Sequence, residues 1–202
     1  MSNIQIELDI EPSGKMFSKS LEEKYDVTGP IGTRGEIFVA ELLRSRGWLV
    51  DITKRDKVLQ GKGFDLIISI HQDGFEVKKT IDVKNNIGKN NELVLEIFKE
   101  SGKPGWIQSL NKTNDYYVHV KVPKNETKSQ ILYKYSKTKM WDYLNDLGLF
   151  EATFVKGEGW KPLYKGIHSL QQSWDREKQK PSDWLLYIEH NNMPDFVITE
   201  HI

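Results

Sequence analysis

Apolar and polar positions along the chain alternate with two different periods, and the switches between them mark the elements. From Thr33, apolar residues Ile37, Phe38, Ala40, Leu42 and Leu43 recur at helical spacing. Thr33 is placed to cap this helix, with Glu36 three residues on, and Gly47 is placed to end it. Trp48–Ile52 then reads as a short strand. Phe64–Ile70 and Phe75–Lys84 are both strand-like, and His71-Gln72-Asp73-Gly74 lies between them. An Asp-Gly pair flanked by such runs is a strong hairpin signal. Leu93–Phe98, Tyr116–Val122 and Ile131–Tyr135 predict further strands, and Pro104–Thr113 a short helix or turn. Ser136 can cap a helix built on Met140, Tyr143, Leu144 and Leu147 and closed by Gly148. Residues 149–202 are less patterned, with a polar run over Gln171–Lys180 and a strand-like Trp184–Ile188. Before the first helix, residues 1–30 carry six acids against three lysines, with a short strand expected at Ile4–Ile10. The order of elements predicts an α/β fold, a mixed sheet flanked by helices. Three segments follow: a lead-in over 1–30, a core over 31–148, and a C-terminal α+β extension over 149–202 packed on that core.

The hairpin has a chemical consequence. A two-residue turn at Asp73-Gly74 would pair Gln72 with Phe75 and set Asp65 directly opposite Asp82, whereas a four-residue loop would shift the register by two and still leave both on one face. Asp82 and Lys84, two apart on one strand, share a face. Two carboxylates and one ammonium are therefore gathered on one side of the hairpin. Directly opposed residues have Cβ atoms ~4.5–5.5 Å apart, where like charges destabilise. A divalent cation is the economical compensation, since Mg²⁺ favours one or two carboxylates plus water and phosphate oxygens. The competing reading is that both aspartates are solvated strand-end residues and Lys84 a surface lysine.

Composition narrows the function classes. The 202 residues carry 29 basic and 29 acidic side chains, so bulk charge would not coat nucleic acid, though a local basic groove stays possible. The absence of cysteine excludes disulfides, Cys-based zinc sites and thiol nucleophiles. No apolar run approaches the ~20 residues of a membrane span and none resembles a signal peptide. A cytoplasmic protein with no membrane partner and no small-molecule cofactor is expected. The five histidines, at 71, 119, 168, 190 and 201, show no metal-ligand spacing. Gly61-Lys62-Gly63 lacks the context of a phosphate loop, and its glycines are read as admitting the chain to the strand that bears Asp65.

Gly63-Phe64-Asp65, followed by Ile81-Asp82-Val83-Lys84, resembles the core of the PD-(D/E)XK nuclease superfamily. Asp65 matches its first acidic position, Asp82 the second and Lys84 the lysine. Thr33-Arg34-Gly35-Glu36 at the head of the first helix resembles that fold's leading helix, a start shared with archaeal Holliday-junction resolvases. Glu92–Ile97, Gly102-Lys103-Pro104-Gly105-Trp106-Ile107 and Asn114–Val118 look like the segment after the lysine in phage-encoded members. The resemblance covers residues 30–122. Phe64 stands in place of the proline and Asp82 where glutamate is more usual.

The resemblance implies a restriction-endonuclease-like mixed sheet and hydrolysis of phosphodiesters. It implies Mg²⁺, with Mn²⁺ able to substitute, held by Asp65, Asp82 and the Val83 carbonyl, with Lys84 orienting water or stabilising charge at phosphorus. Glu36 would complete the metal shell, or is explained by the capping box alone. Glu96 has a counterpart in the family but reads equally as a solvated strand carboxylate, and Gln108 could approach from its short helix. Lys121, Lys124, Lys128, Lys134, Lys137 and Lys139, interleaved with Tyr133 and Tyr135, form a candidate phosphate-contacting edge or a solvated lysine-rich loop.

The leading expectation is a metal-dependent DNA endonuclease, phage-encoded or mobile-element-encoded, acting in the host cytoplasm and capable of working as a homodimer. The alternatives are an RNA-cutting relative, a non-catalytic nucleic-acid-binding or regulatory protein on the same fold, and a structural virion or accessory protein.

Overall fold

A computed structural model describes residues 31–53, 56–72, 75–85, 92–109, 112–121, 131–164, 166–175 and 178–201. The lead-in of residues 1–30, with its expected strand, lies outside them. Helix α1 spans Ile31–Ser45 and buries Val39, Ala40, Leu42 and Leu43 on one face. It ends at Gly47, whose φ of +86° allows the Trp48 N–H to reach back to the Leu43 carbonyl at 3.2 Å. Thr33 sits inside this helix rather than before it, so the capping-box account of Glu36 loses its cap.

Strands β1 (Leu49–Ile52), β2 (Leu66–Gln72), β3 (Phe75–Asn85), β5 (Tyr116–Lys121), β6 (Ile131–Ser136) and β11 (Ile198–His201) form one mixed sheet in the order β1-β2-β3-β5-β6-β11. All pairs are antiparallel except β3 with β5, which run parallel at its centre. A parallel neighbour requires a crossover. Here the crossover contains β4 (Glu92–Phe98) and a short 3₁₀ turn, Trp106–Gln108. A five-residue helix, α2 (Lys57–Gly61), joins β1 to β2, and α3 (Lys137–Asp146) follows β6. Ser136 stands at the N-cap of α3, without a side-chain cap bond.

Both faces of the main sheet are covered, which is why its strands are so apolar. On one face α1 packs on Leu66, Ile68, Ile81, Val83, Val118, Val120 and Leu132. On the other, Tyr117, Tyr133 and Tyr135 meet Leu93, Leu95 and Ile97 of β4 and Met140 and Leu144 of α3. Ile81 and Val83 face α1, so the two-residue period turns Thr80, Asp82 and Lys84 to the opposite side.

Residues 149–202 contain far more strand than their pattern shows. A small hairpin joins β7 (Ala152–Val155) and β8 (Gly159–Pro162). β9 (Ser169–Asp175) occupies much of the polar run, and β10 (Lys180–Glu189) pairs with both β9 and β4 in a second, three-stranded sheet. β11 completes the main sheet beside β6. No helix among the described residues is long and apolar enough to cross a membrane.

Candidate active site

The β2–β3 register runs from Gln72 opposite Phe75 to Leu66 opposite Ile81, the pairing a two-residue connection dictates. Asp73 and Gly74 themselves lie outside the described residues. The ladder continues one step further, with the Asp65 N–H donating to the Ile81 carbonyl at 2.9 Å. Asp65 and Asp82 are thereby brought together. The Val83 N–H donates to Asp65 Oδ2 at 2.8 Å, and the Lys84 ammonium donates to Asp82 Oδ1. The Lys112 ammonium stands 3.7 Å from Asp82 Oδ2. Asp82 is fully buried, whereas Lys84 and Lys112 keep 26% and 23% of their side-chain surface exposed, so the corner opens to solvent past the lysines.

Two carboxylates this close cannot both hold charge without compensation. Burial first, and the Asp82 carboxylate second, push the Asp65 carboxyl up from its ordinary 3.8 to about 7; the Val83 N–H and Lys84 oppose that rise. The aromatic wall behind them is formed by Trp106, Tyr117 and His119. The Trp106 ring lies 4.8 Å from Tyr117 and 5.4 Å from His119, centroid to centroid, and Lys84 Nζ is 5.7 Å from the Trp106 centroid. Burial, helped by the Lys84 charge, drives His119 down to about 3. It is a neutral ring bonded to the Tyr135 hydroxyl at 2.6 Å.

The corner has the chemistry of a cation site. Asp82 Oδ2 and Asn114 Oδ1 are buried acceptors without a hydrogen-bond partner. A buried acceptor without a hydrogen bond costs about 1–3 kcal/mol, and at Asp82 Oδ2 the Lys112 ammonium 3.7 Å away offsets part of that. Both oxygens converge on one small space, since a Cβ built on Gly63 would lie 3.0 Å from each. Gly63 has φ +83°, a conformation that suits glycine, and its missing side chain lets the Lys112 stem approach the same space, with Cδ 2.8 Å from where a Cβ would stand. The segment behind it is pinned by the Thr113 N–H on the Lys62 carbonyl (2.9 Å) and the Asp115 N–H on the Thr80 carbonyl (3.1 Å). Carboxylate and amide oxygens are the ligands a hard divalent ion prefers.

The structure sorts the other expected residues. Among the described residues no group of three or more His, Asp or Glu side chains that could hold a metal ion is found. Glu36 is half-buried on α1, next to Gly35, where a Cβ would come within 2.8 Å of Asn85 Oδ1. Val83 contacts Asp65 through its N–H. Burial, then the Asp183 charge, raises the Glu96 carboxyl, while Lys99, the Trp106 N–H and Lys84 oppose the rise. Gln108 uses its amide nitrogen on the Ile97 carbonyl at 2.6 Å.

Of the expected lysine edge, the described side chains are those of Lys134, Lys137 and Lys139. Lys134 is buried on the α1 side of the sheet, 3.1 Å from Glu200, which Arg46 also engages. An enclosed, paired ammonium is not a phosphate contact. Lys139 is exposed on α3. Lys137 is half-buried, its ammonium 3.4 Å from the Ser109 carbonyl. Lys124 and Lys128 lie outside the described residues, as does the Lys121 side chain.

Lys112, Asn114 and Trp106 were not marked as site residues by sequence reasoning. Their signal is topological: the parallel pairing sets Asp82 beside Tyr117, so the residues leading into β5 must pass over Gly63 and Asp82. That placement depends on a parallel pairing that local pattern does not reveal. Comparison of the chain with protein-family models, with curated proteins and with solved structures finds no match.

Proposed function

We propose that the protein is a metal-dependent phosphodiester hydrolase acting on DNA, built on a restriction-endonuclease-like fold. The observation that carries this reading is the meeting of half-buried Asp65, just before β2, with fully buried Asp82 on β3, with Asp82 Oδ2 lacking a hydrogen-bond partner beside Gly63 and Lys84 on the other oxygen. The element order supports it as well. A helix, three antiparallel strands and a crossover to a strand parallel to the third build a mixed sheet, the coarse feature that the motif resemblance implies.

Asp65 and Asp82 would hold the divalent ion, with the Asn114 amide oxygen facing the same cradle. A bound Mg²⁺ supplies Lewis acidity toward a phosphate oxygen and a lowered pKa for water. The remaining work falls to the chain. Asp82 and the Trp106 ring fix the Lys84 ammonium at the mouth of the site, where it can donate to a phosphate oxygen as negative charge builds at phosphorus. The Val83 N–H fixes the rotamer of Asp65, so the carboxylate does not have to be ordered when substrate arrives.

The test incubates the protein with supercoiled plasmid, a four-way junction and single-stranded RNA, each with Mg²⁺, with Mn²⁺ and with chelator. Metal-dependent cutting of DNA, lost in Lys84→Ala and Asp82→Asn variants that remain folded, is expected. DNA binding without cutting under any metal would overturn the hydrolase reading, and cutting of RNA alone would overturn the choice of substrate.

A further inference from the structure

The outer strands of the two larger sheets are finished differently. β1 is four residues long, and the Arg44 guanidinium takes the Val50 carbonyl at 2.6 Å. β11 is equally short and carries Glu200, which Arg46 and Lys134 engage. On β4 the Gly105 N–H closes on the Ile97 carbonyl at 2.7 Å, and Pro104 bridges to Phe98. β9 shows none of these devices. It is seven residues long, and among the described residues it pairs with β10 alone. The extra residue of that ladder falls on β10, between Pro181 and Trp184, so no bulge bends β9 away. Long edges are normally blunted by lysine, proline or a bulge, because their N–H and C=O groups template another strand.

The side chains of β9 are already served within the chain. Gln171 donates to the Ser169 hydroxyl at 2.7 Å, Gln172 to the Ser182 carbonyl at 3.1 Å, and the Ser173 hydroxyl to the Asp183 carbonyl at 3.0 Å. Asp175 accepts the Lys178 N–H at 3.0 Å and has the Lys178 ammonium 3.2 Å away. From Ser169 to Trp174 the strand carries no charge. What is left for a partner is a neutral backbone edge and Trp174, which is 57% exposed. β9 holds no cation to draw a phosphate backbone, so its chemistry fits another extended, uncharged strand.

The strand is also its own complement. Laid antiparallel against a copy with the two-fold axis at Gln172, Leu170 meets Trp174 of the second copy, Gln171 meets Ser173, and Ser169 meets Asp175. Apolar positions face apolar ones and polar positions face polar ones, which is what an isologous contact requires. Leu170 packs at the rim of the core, so each Trp174 would cover the core rim of the other copy. We infer that β9 is a homodimer edge: two copies pair antiparallel through Ser169–Asp175 and join their three-stranded sheets into one continuous sheet. The inference stands apart from the hydrolase reading and requires neither metal nor nucleic acid.

Sedimentation equilibrium of the full chain tests the pairing. Wild type should dimerise with a Kd of about 1–100 µM, the range of a weak, transient interface. Gln172→Lys and Gln172→Glu each set like charges face to face at the two-fold axis, whereas a monomer holds position 172 half-buried on an edge strand. Each should weaken the dimer at least about tenfold, and an equimolar mixture of the two should restore it, because opposite charges then meet. Hydrogen exchange gives a second measurement: the β9 amides of wild type should gain protection as protein concentration rises through that Kd. Should a variant not fold, this measurement alone decides. Wild type still monomeric at about 1 mM would overturn the inference. A dimer that neither variant weakens, a mixture that recovers no dimer, or β9 amides indifferent to concentration would overturn it equally.

Discussion

The backbone N–H of Val83 donates to Oδ2 of Asp65 across 2.8 Å, tying the carboxylate at the start of β2 to the residue that follows Asp82 on β3. This one bond holds two acids side by side where unrestrained side chains would swing apart. Strand pairing places the groups, and a buried donor keeps them there. The resulting repulsion is met by a proton on Asp65, by Lys84, or by a metal ion.

The proton makes stability pH-dependent. The folded pKa of Asp65, about 7, lies above its ordinary 3.8, so the folded chain binds the proton more tightly than the unfolded chain. This contribution is complete below about pH 4 and disappears as pH rises through 7. In chelator, thermal melts should therefore show wild type losing more stability between pH 5 and pH 8 than Asp65→Asn, whose amide does not titrate. Parallel curves for the two proteins would contradict the shift.

Gly63→Ala tests the cradle. The new Cβ enters a left-handed backbone position and meets Lys112 Cδ at 2.8 Å and Asp82 Oδ2 and Asn114 Oδ1 at 3.0 Å. A loss of about 1–2 kcal/mol is expected from the backbone alone, or about 3–6 °C in Tm for a chain of this size. Divalent-metal affinity should fall by at least about tenfold in protein that calorimetry shows to be folded. Unaltered metal affinity would place the ion elsewhere.

Gly105→Ala tests the wall behind Lys84. Here φ is an ordinary −67°, so the constraint is proximity: a Cβ would lie 2.2 Å from the Glu96 carbonyl oxygen and 2.6 Å from its carbon. Backbone cannot yield as a side-chain tip does, so β4 and the Trp106–Gln108 turn must separate. A loss of about 2–4 kcal/mol in denaturant melts is expected, with Trp106 and Lys84 displaced together. A variant as stable as wild type would show that this approach is looser than described.

Lys134→Met tests the exclusion of that lysine from nucleic-acid contact. Lys134 is 6% exposed and shares Glu200 with Arg46. An apolar replacement of similar volume leaves Glu200 its Arg46 partner, so stability should change by less than about 1.5 kcal/mol. Oligonucleotide affinity should not change. Glu200→Gln removes the only acid of that trio and should destabilise by about 3 kcal/mol or more. A drop in DNA affinity with Lys134→Met would return the residue to the binding surface.

What the sequence made legible was local. The Asp-Gly signal set the β2–β3 register, and with it the meeting of Asp65 and Asp82, because a strand's period of two leaves few alternatives once its turn is fixed. The helices over Ile31–Ser45 and Lys137–Asp146 showed in their apolar spacing and closing glycines. What stayed hidden was non-local. β9 is polar and partly exposed, and β10 is visible only where Leu185, Leu186 and Ile188 are buried, so neither announced its pairing. Lys112 and Asn114 reach the acid pair only through the parallel β3–β5 contact, and Lys134 turned inward because Glu200, 66 residues away, arrives on the edge strand.

Isothermal titration of Mn²⁺ into wild type, Asp65→Asn and Asp82→Asn at pH 6 and pH 8 reads the sharing of an ion by the two acids most directly. One ion per wild-type chain is expected, bound more tightly at pH 8 because the Asp65 proton no longer competes, with binding weakened at least about tenfold in each variant. Equal Mn²⁺ binding by all three proteins would contradict a shared ion and remove the basis for the hydrolase reading.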